Sequence, residues 1–258
     1  MGRNPQHGGV MGSELAVRFV GSGDAFGSGG RAQTCISVQT SDCHALLDCG
    51  ATSLTALKQQ GVDPGSIDIV VISHLHADHF GGVPFLVLDQ QFSRRTNPLQ
   101  VLGPPGTRER LHAAMETAFP GSTQVQRQFE LIIDELTPDG AIWRDDRARV
   151  RGWQVDHASG APSMCLQIEL NERVVAYSGD TAWTPALTNA AAGADLFAIE
   201  AYTYDKPVRY HLDYRTTCEH ITQLPAERTV LTHMSPHMLN RIADARHPAA
   251  FDGMTLRL

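Results

Sequence analysis

Four potential metal ligands fall within six residues at the mouth of an apolar strand, and no other feature constrains this chain as tightly. The run Ile67-Asp-Ile-Val-Val-Ile72 reads as a buried strand and leads directly into His74-Leu-His-Ala-Asp-His79. In extended backbone, residues two apart point the same way, so His74 and His76 can reach one cation together. Asp78 suits the cap of a following helix. Adjacent residues at a helix start diverge, so Asp78 and His79 can face a second cation. The alternative is an exposed polar loop, which the preceding apolar strand disfavours.

Four groups cannot close two sites, so further ligands are expected at other strand ends. Three candidates stand there: His157 after Arg149–Val155, Asp180 after Val174–Tyr177 and a tight turn, and His233 after Thr229–Thr232. Singly, each could be a turn cap or a half-buried core residue; together with the first cluster they read as one constellation.

The rest of the chain supplies a scaffold of matching size. Strand patterns cover Leu15–Val20, Thr34–Gln39, His44–Asp48, Leu99–Leu102, Phe129–Ile133, Met164–Glu169 and Leu196–Glu200. Helical patterns cover Ser53–Gln60, Val83–Gln91, Thr107–Ala118, Thr184–Ala192, Tyr214–Leu224 and Pro236–Ala245. Two β-rich halves, each followed by helices, imply an α/β protein in which two stacked sheets carry helices outside, a four-layer αββα sandwich. Residues 14–258 are read as one such domain, and the Gly-rich, polar residues 1–13 as a flexible tail.

Composition removes several classes. A formal net charge of -7 without a dense Lys/Arg run weighs against extended nucleic-acid binding, which relies on many phosphate contacts. Five cysteines without a Cys-x-x-Cys pair suggest neither a disulfide framework nor a thiolate zinc site, and favour a reduced, cytoplasmic setting. No stretch approaches the roughly 18 consecutive apolar residues that a membrane span needs. The chain also lacks a Gly-x-Ser-x-Gly nucleophile motif. Gly21-Ser-Gly-Asp and Gly27-Ser-Gly-Gly are poor nucleotide fingerprints, because no helix follows to present backbone donors.

From Gly21-Ser-Gly-Asp-Ala, through Leu47-Asp-Cys-Gly50, the His74–His79 motif and Tyr177-Ser-Gly-Asp-Thr181, to Leu231-Thr-His-Met-Ser-Pro236, the chain resembles the metallo-β-lactamase superfamily. Within it, the closing motif is similar to the ribonuclease Z and phosphodiesterase branch. The resemblance implies a first metal on His74, His76 and His157, a second on Asp78, His79 and His233, and Asp180 bridging both. Zinc suits five imidazoles and two carboxylates, with manganese, iron or nickel as alternatives. Two such ions about 3.5–4 Å apart would share a bridging hydroxide, formed by lowering the pKa of water from about 15.7 towards 7. Asp78 therefore counts among the catalytic residues as well as the ligands. The branch also uses a glutamate and a histidine as a proton shuttle, and Glu200 and His211 are similar in position.

The resemblance leaves the substrate open. Only 22 residues separate His157 from Asp180, too few for the long arm with which ribonuclease Z holds transfer RNA. After Ser235 the chain also lacks the Arg-Tyr pair common in RNA-processing relatives. A small phosphodiester, such as a cyclic nucleotide or a cyclic diester of a phosphorylated sugar, is the expected substrate. A lactone, thioester or β-lactam hydrolase is the alternative, and an RNA-processing endonuclease a more distant one. A di-iron redox protein would place a glutamate at His76, and a metal-free binding module would not retain all seven ligand positions. Homodimers are common in the branch, which is the warrant for expecting one. Cys49 is read as structural, and Ser163 and Arg31 chiefly as solvated surface groups, with contact to a substrate oxygen as the alternative.

Overall fold

Alternation along the strands explains the architecture. In the computed structural model, which describes residues 14–258, Ile69 and Val71 face one apolar cluster while Val70 and Ile72 face another. Leu196 and Ala198 join the first cluster, whereas Phe197 and Ile199 turn to a third. Side chains alternate across a strand, so each central strand is covered on both faces and reads as an unbroken apolar run.

The first sheet is ordered β13-β1-β2-β3-β4-β5-β6. Its strands are β1 (Ala16–Gly21), β2 (Cys35–Gln39), β3 (His44–Leu47), β4 (Ile69–Val71), β5 (Leu99–Gly103), β6 (Leu131–Glu135) and β13 (Thr255–Arg257). The second is ordered β12-β11-β10-β9-β8-β7, from β7 (Trp143–Arg144), β8 (Ala148–Gln154), β9 (Met164–Leu170), β10 (Arg173–Tyr177), β11 (Leu196–Glu200) and β12 (Thr229–Thr232). The sheets meet face to face over a core that includes Phe19, Leu47, Val150, Leu166 and Tyr177.

Helices α1 (Ser53–Gln59), α3 (Val83–Phe92) and α4 (Thr107–Ala118) cover the outside of the first sheet through Leu57, Leu86 and Leu111. Helices α5 (Ala186–Ala191), α6 (Tyr214–Ile221) and α7 (Pro236–Leu239) cover the second through Leu187, Ile221 and Met238. The short α2 (Ala77–Phe80) lies between β4 and α3. The result is a four-layer αββα sandwich. No helix among the described residues is long and apolar enough to cross a membrane.

Strands β3 to β6 run parallel, as do β10 to β12, so their C-terminal ends converge on shared edges. Two details differ from the sequence pattern. The helix expected over Pro236–Ala245 stops at Leu239 and resumes as a 3-10 turn at Ile242–Asp244. Arg241 breaks it, leaving helical geometry with its guanidinium over the Tyr204 ring and paired to Asp244. Strands β7 and β13 are too short to show a period of their own and exist through pairing with β8 and β1. The expected tail, residues 1–13, lies outside the described residues.

Candidate metal centre

The structure brings all seven expected ligands together, five of them in loops leaving the C-terminal ends of strands. His74 and His76 follow β4, His157 follows β8, Asp180 follows β10 and His233 follows β12. Asp78 and His79 lie within α2, whose N-cap is His76 in extended backbone. The expectation that Asp78 caps this helix is therefore corrected. It occupies the first turn, and its carboxylate is left for the cluster.

Two groups of ligand atoms result: His74, His76 and His157, and Asp78, His79, Asp180 and His233. In the first, His76 Nδ1 lies 3.2 Å from His74 Nε2 and 3.1 Å from His157 Nε2. In the second, His79 Nε2 is 3.1 Å from Asp78 Oδ2 and 3.3 Å from Asp180 Oδ1. Asp180 Oδ2 is 3.3 Å from His233 Nε2 and 3.9 Å from His74 Nε2, so this carboxylate stands between the groups.

The donor set fits divalent cations. His79 Nε2 and Asp180 Oδ1 are buried and have no hydrogen-bond partner among the described residues, although they lie 3.3 Å apart. Buried polar atoms are costly when unsatisfied, and a cation coordinated by both removes that cost.

Electrostatics divide the cluster. Burial holds the His74 imidazole well below its usual range, and the neighbouring His79 adds to the effect. Burial also lowers His157. For His79, burial is outweighed by Asp180, Asp78 and Asp48, and the ring is pushed well up. Burial would raise Asp180, but His233, His79 and His74 hold it well below the carboxylate range. Asp78 is likewise lowered, with His79 overcoming burial.

Four of the five rings are fixed by their second nitrogen, an arrangement that sets which nitrogen faces a metal. Nδ1 of His79 lies 2.6 Å from Asp48, that of His233 3.1 Å from the Thr34 hydroxyl, that of His74 3.1 Å from the Ser73 hydroxyl. His157 Nδ1 donates to the Tyr210 carbonyl at 3.0 Å. Asp48 also accepts from the Ser73 amide and hydroxyl at 2.7 and 2.8 Å. Sequence reasoning missed these four supports. Asp48 alone carried a signal, since it ends a strand as Asp180 does. Gly50 completes the arrangement: a Cβ there would lie 2.2 Å from the Asp78 carbonyl, so only glycine admits α2 so closely.

Glu200, fully buried at the end of β11, is hydrogen-bonded to His211 Nδ1. Glu200 also accepts from the amides of Thr181 and Leu212 at 2.9 and 3.2 Å. Burial and Asp180 raise its pKa despite His211. His211 rises to about 8, because the Glu200 hydrogen bond and charge outweigh burial. The pair adjoins the second group through Asp180 and His233, and the His211 ring stacks on Tyr202 at 4.6 Å.

Three expectations resolve otherwise or as structure. Ser163 is buried rather than solvated, and donates to the His157 carbonyl at 3.0 Å, bracing that loop. Arg31 donates to the Ser22 hydroxyl at 3.0 Å and to the Ala250 carbonyl, so it ties chain segments together. Cys49 is buried and its amide donates to the His79 carbonyl at 2.6 Å.

The chain is similar to known proteins. A ribonuclease Z of Mycolicibacterium gilvum is 26% identical over 244 aligned positions, covering 86% of this chain and 85% of that one. Human tRNase Z, short form, superposes with a TM-score of 0.77 at 23% identity, covering 93% and 98% of the two chains. A diphosphatase from the PhnP family gives a TM-score of 0.73 at 20% identity, covering 95% and 98%. These neighbours and the four layers identify a metallo-β-lactamase fold, and the protein is a metal-dependent hydrolase. A family match described as anti-Pycsar protein Apyc1 extends over residues 15–251, and the chain belongs to that family.

Proposed function

We propose that this hydrolase is a phosphodiesterase acting on a small phosphodiester, with a cyclic nucleotide the best-fitting class. His74, His76 and His157 would hold one zinc ion and Asp78, His79 and His233 a second, with Asp180 available to both. When bound, the ions supply a water of lowered pKa and neutralise charge on the phosphoryl oxygens.

The chain's own residues do the rest. His79, His233, His74 and His157 keep fixed orientations through Asp48, Thr34, Ser73 and Tyr210. Glu200 occupies Nδ1 of His211, leaving Nε2 to meet the substrate. Water loses a proton to solvent as its oxygen adds to phosphorus, the bond to the departing ester oxygen breaks, His211 gives that oxygen its proton, and a proton from solvent restores His211. Glu200 stabilises the charged imidazolium beforehand, which is why His211 still carries a proton near neutral pH.

The observation that carries this reading is the Glu200–His211 pair set against the shared ligand Asp180. Stable esters with alkoxide leaving groups need such an acid beside the attacking site. Relatives named ribonuclease Z support phosphodiester chemistry. The interval from His157 to Asp180 supports a small substrate, because β9 and β10 fill it as a hairpin turned at Asn171 and Glu172. A cytoplasmic homodimer is the accompanying proposal.

The test is hydrolysis of bis(p-nitrophenyl) phosphate beside a lactone, a thioester and a β-lactam, on protein of measured metal content. Phosphodiesterase activity lost on chelation and restored by zinc is expected. Turnover of acyl substrates alone would overturn the substrate class.

A further inference from the structure

Beside His211 the surface opens into a cleft of about 530 Å³, between Trp183 and the loop that carries Arg209 and Tyr210. That size falls within the roughly 300–1,000 Å³ of small-ligand clefts. We infer that this cleft receives the nucleoside half of a cyclic nucleotide, with Trp183 and Arg209 determining specificity for the base. The inference rests on the phosphodiesterase reading and adds to it the direction in which the substrate lies.

The direction follows from the acid. The departing ester oxygen must meet His211, so whatever that oxygen is attached to extends along the His211 side. In a cyclic diester both ester oxygens belong to one sugar, and the whole nucleoside is therefore on that side. His211 itself lines the cleft, so the acid and the cleft share one residue, and a sugar whose departing oxygen meets His211 has its base beside the cleft walls.

The walls are preorganised. The Tyr202 amide donates to the Leu212 carbonyl at 2.9 Å, the Thr203 hydroxyl bonds the Lys206 carbonyl, and the His211 amide closes a turn onto the Val208 carbonyl at 3.1 Å. Tyr210 sits in that turn at a φ of 68°, a conformation that non-glycine residues adopt at a cost. Its carbonyl is the group that orients His157, so one turn fixes both a ligand and the cleft wall.

The chemistry suits a nucleobase. The Trp183 indole is backed by His220, with ring centroids 3.9 Å apart and planes 11° from parallel, which makes it a rigid planar surface. The exposed Arg209 guanidinium lies 4.4 Å from the Tyr210 ring centroid and makes no ion pair among the described residues. The nearby Asp213 is occupied with capping α6, accepting from the Thr216 amide and hydroxyl at 2.9 and 2.8 Å. Arg209 thus presents a planar fork with open donors, matched to the carbonyl and ring-nitrogen acceptors of a base, and Trp183 offers a face for stacking.

The experiment compares a 3′,5′-cyclic nucleotide with glycerol 1,2-cyclic phosphate, which has no base, as substrates of the zinc-loaded protein. Trp183→Ala, Arg209→Ala and Arg209→Lys are measured beside Arg110→Ala, which alters a separate hollow near Leu75 and Gly160. Loss of stacking or of the fork should raise KM for the cyclic nucleotide about tenfold with kcat nearly unchanged. Arg209→Lys should fall between, and glycerol cyclic phosphate should be unaffected. Calorimetry should show the same weakening for the nucleoside monophosphate product. Equal losses on both substrates, no change on either, or a base-dependent loss in Arg110→Ala would overturn the cleft assignment alone. A wild-type protein that hydrolyses neither diester would overturn the phosphodiesterase reading and the cleft assignment with it.

Discussion

The two halves of the centre differ in charge and in access to solvent. The first offers three imidazoles, of which only His74 is buried, and it borrows a carboxylate from Asp180 at 3.9 Å. The second is buried throughout and contributes two carboxylates of its own. A dication gains more from two anions held away from water than from neutral rings near it. The buried half should therefore retain its ion when the open half exchanges, and activity should depend on the ion that leaves first. A graded chelator titration ought to remove the ions in two steps.

The largest way to break this contrast is at the residue the halves share. Asp180→Asn should lower turnover by more than the 10–100-fold typical of losing a supporting partner, and should reduce metal content at both positions. Metal analysis showing two tightly held ions in that variant would refute a shared ligand. His76→Ala acts on the open half alone. It should abolish measurable turnover while the protein stays folded and keeps one ion, and full activity would sink the two-ion mechanism. His211→Ala should cost about 10²–10⁴-fold on alkyl esters and far less on p-nitrophenyl esters, which need little protonation. Equal losses on both would argue against a proton donor.

Smaller effects sharpen the picture. Asp48→Asn leaves every ligand in place but weakens the hold on His79, and should cost about 10–100-fold in metal affinity or activity. A buried histidine outside the centre provides the control. Burial lowers His44 to about 4 from the usual 6.5, with ring nitrogens 2.8 and 2.9 Å from Ser37 and Ser66. Between these values the unfolded chain binds a proton that the folded one does not. The stabilisation is complete above about pH 6.5 and is lost as pH falls towards 4, up to about 3 kcal/mol. His44→Asn should flatten that part of the acid unfolding curve without altering metal content.

What was legible in the sequence follows from how each feature is encoded. Most of the expected ligands share one signal, a polar group shortly after an apolar run, because strands running the same way bring their C-terminal ends together. The supports of those ligands are partly written in backbone. Tyr210 acts through its carbonyl, and no side-chain pattern announces it. Ser163 reads as surface because its burial depends on His157, which lies close by only after the loop has folded. The helix end at Leu239 depends on Arg241 meeting Tyr204 across the fold, a contact that local periodicity does not contain.

The hairpin between His157 and Asp180 bears on how such a scaffold diversifies. Its tight turn at Asn171 and Glu172 lies at the end of the ladder away from the ligands, whereas the loop through the exposed Gly160 opens beside them. Sequence inserted at Gly160 would overhang the catalytic opening without shifting the register of β9 and β10. The same chassis can thus acquire or shed a substrate-gripping appendage at one port, so substrate size is modular while the chemistry beneath stays constant.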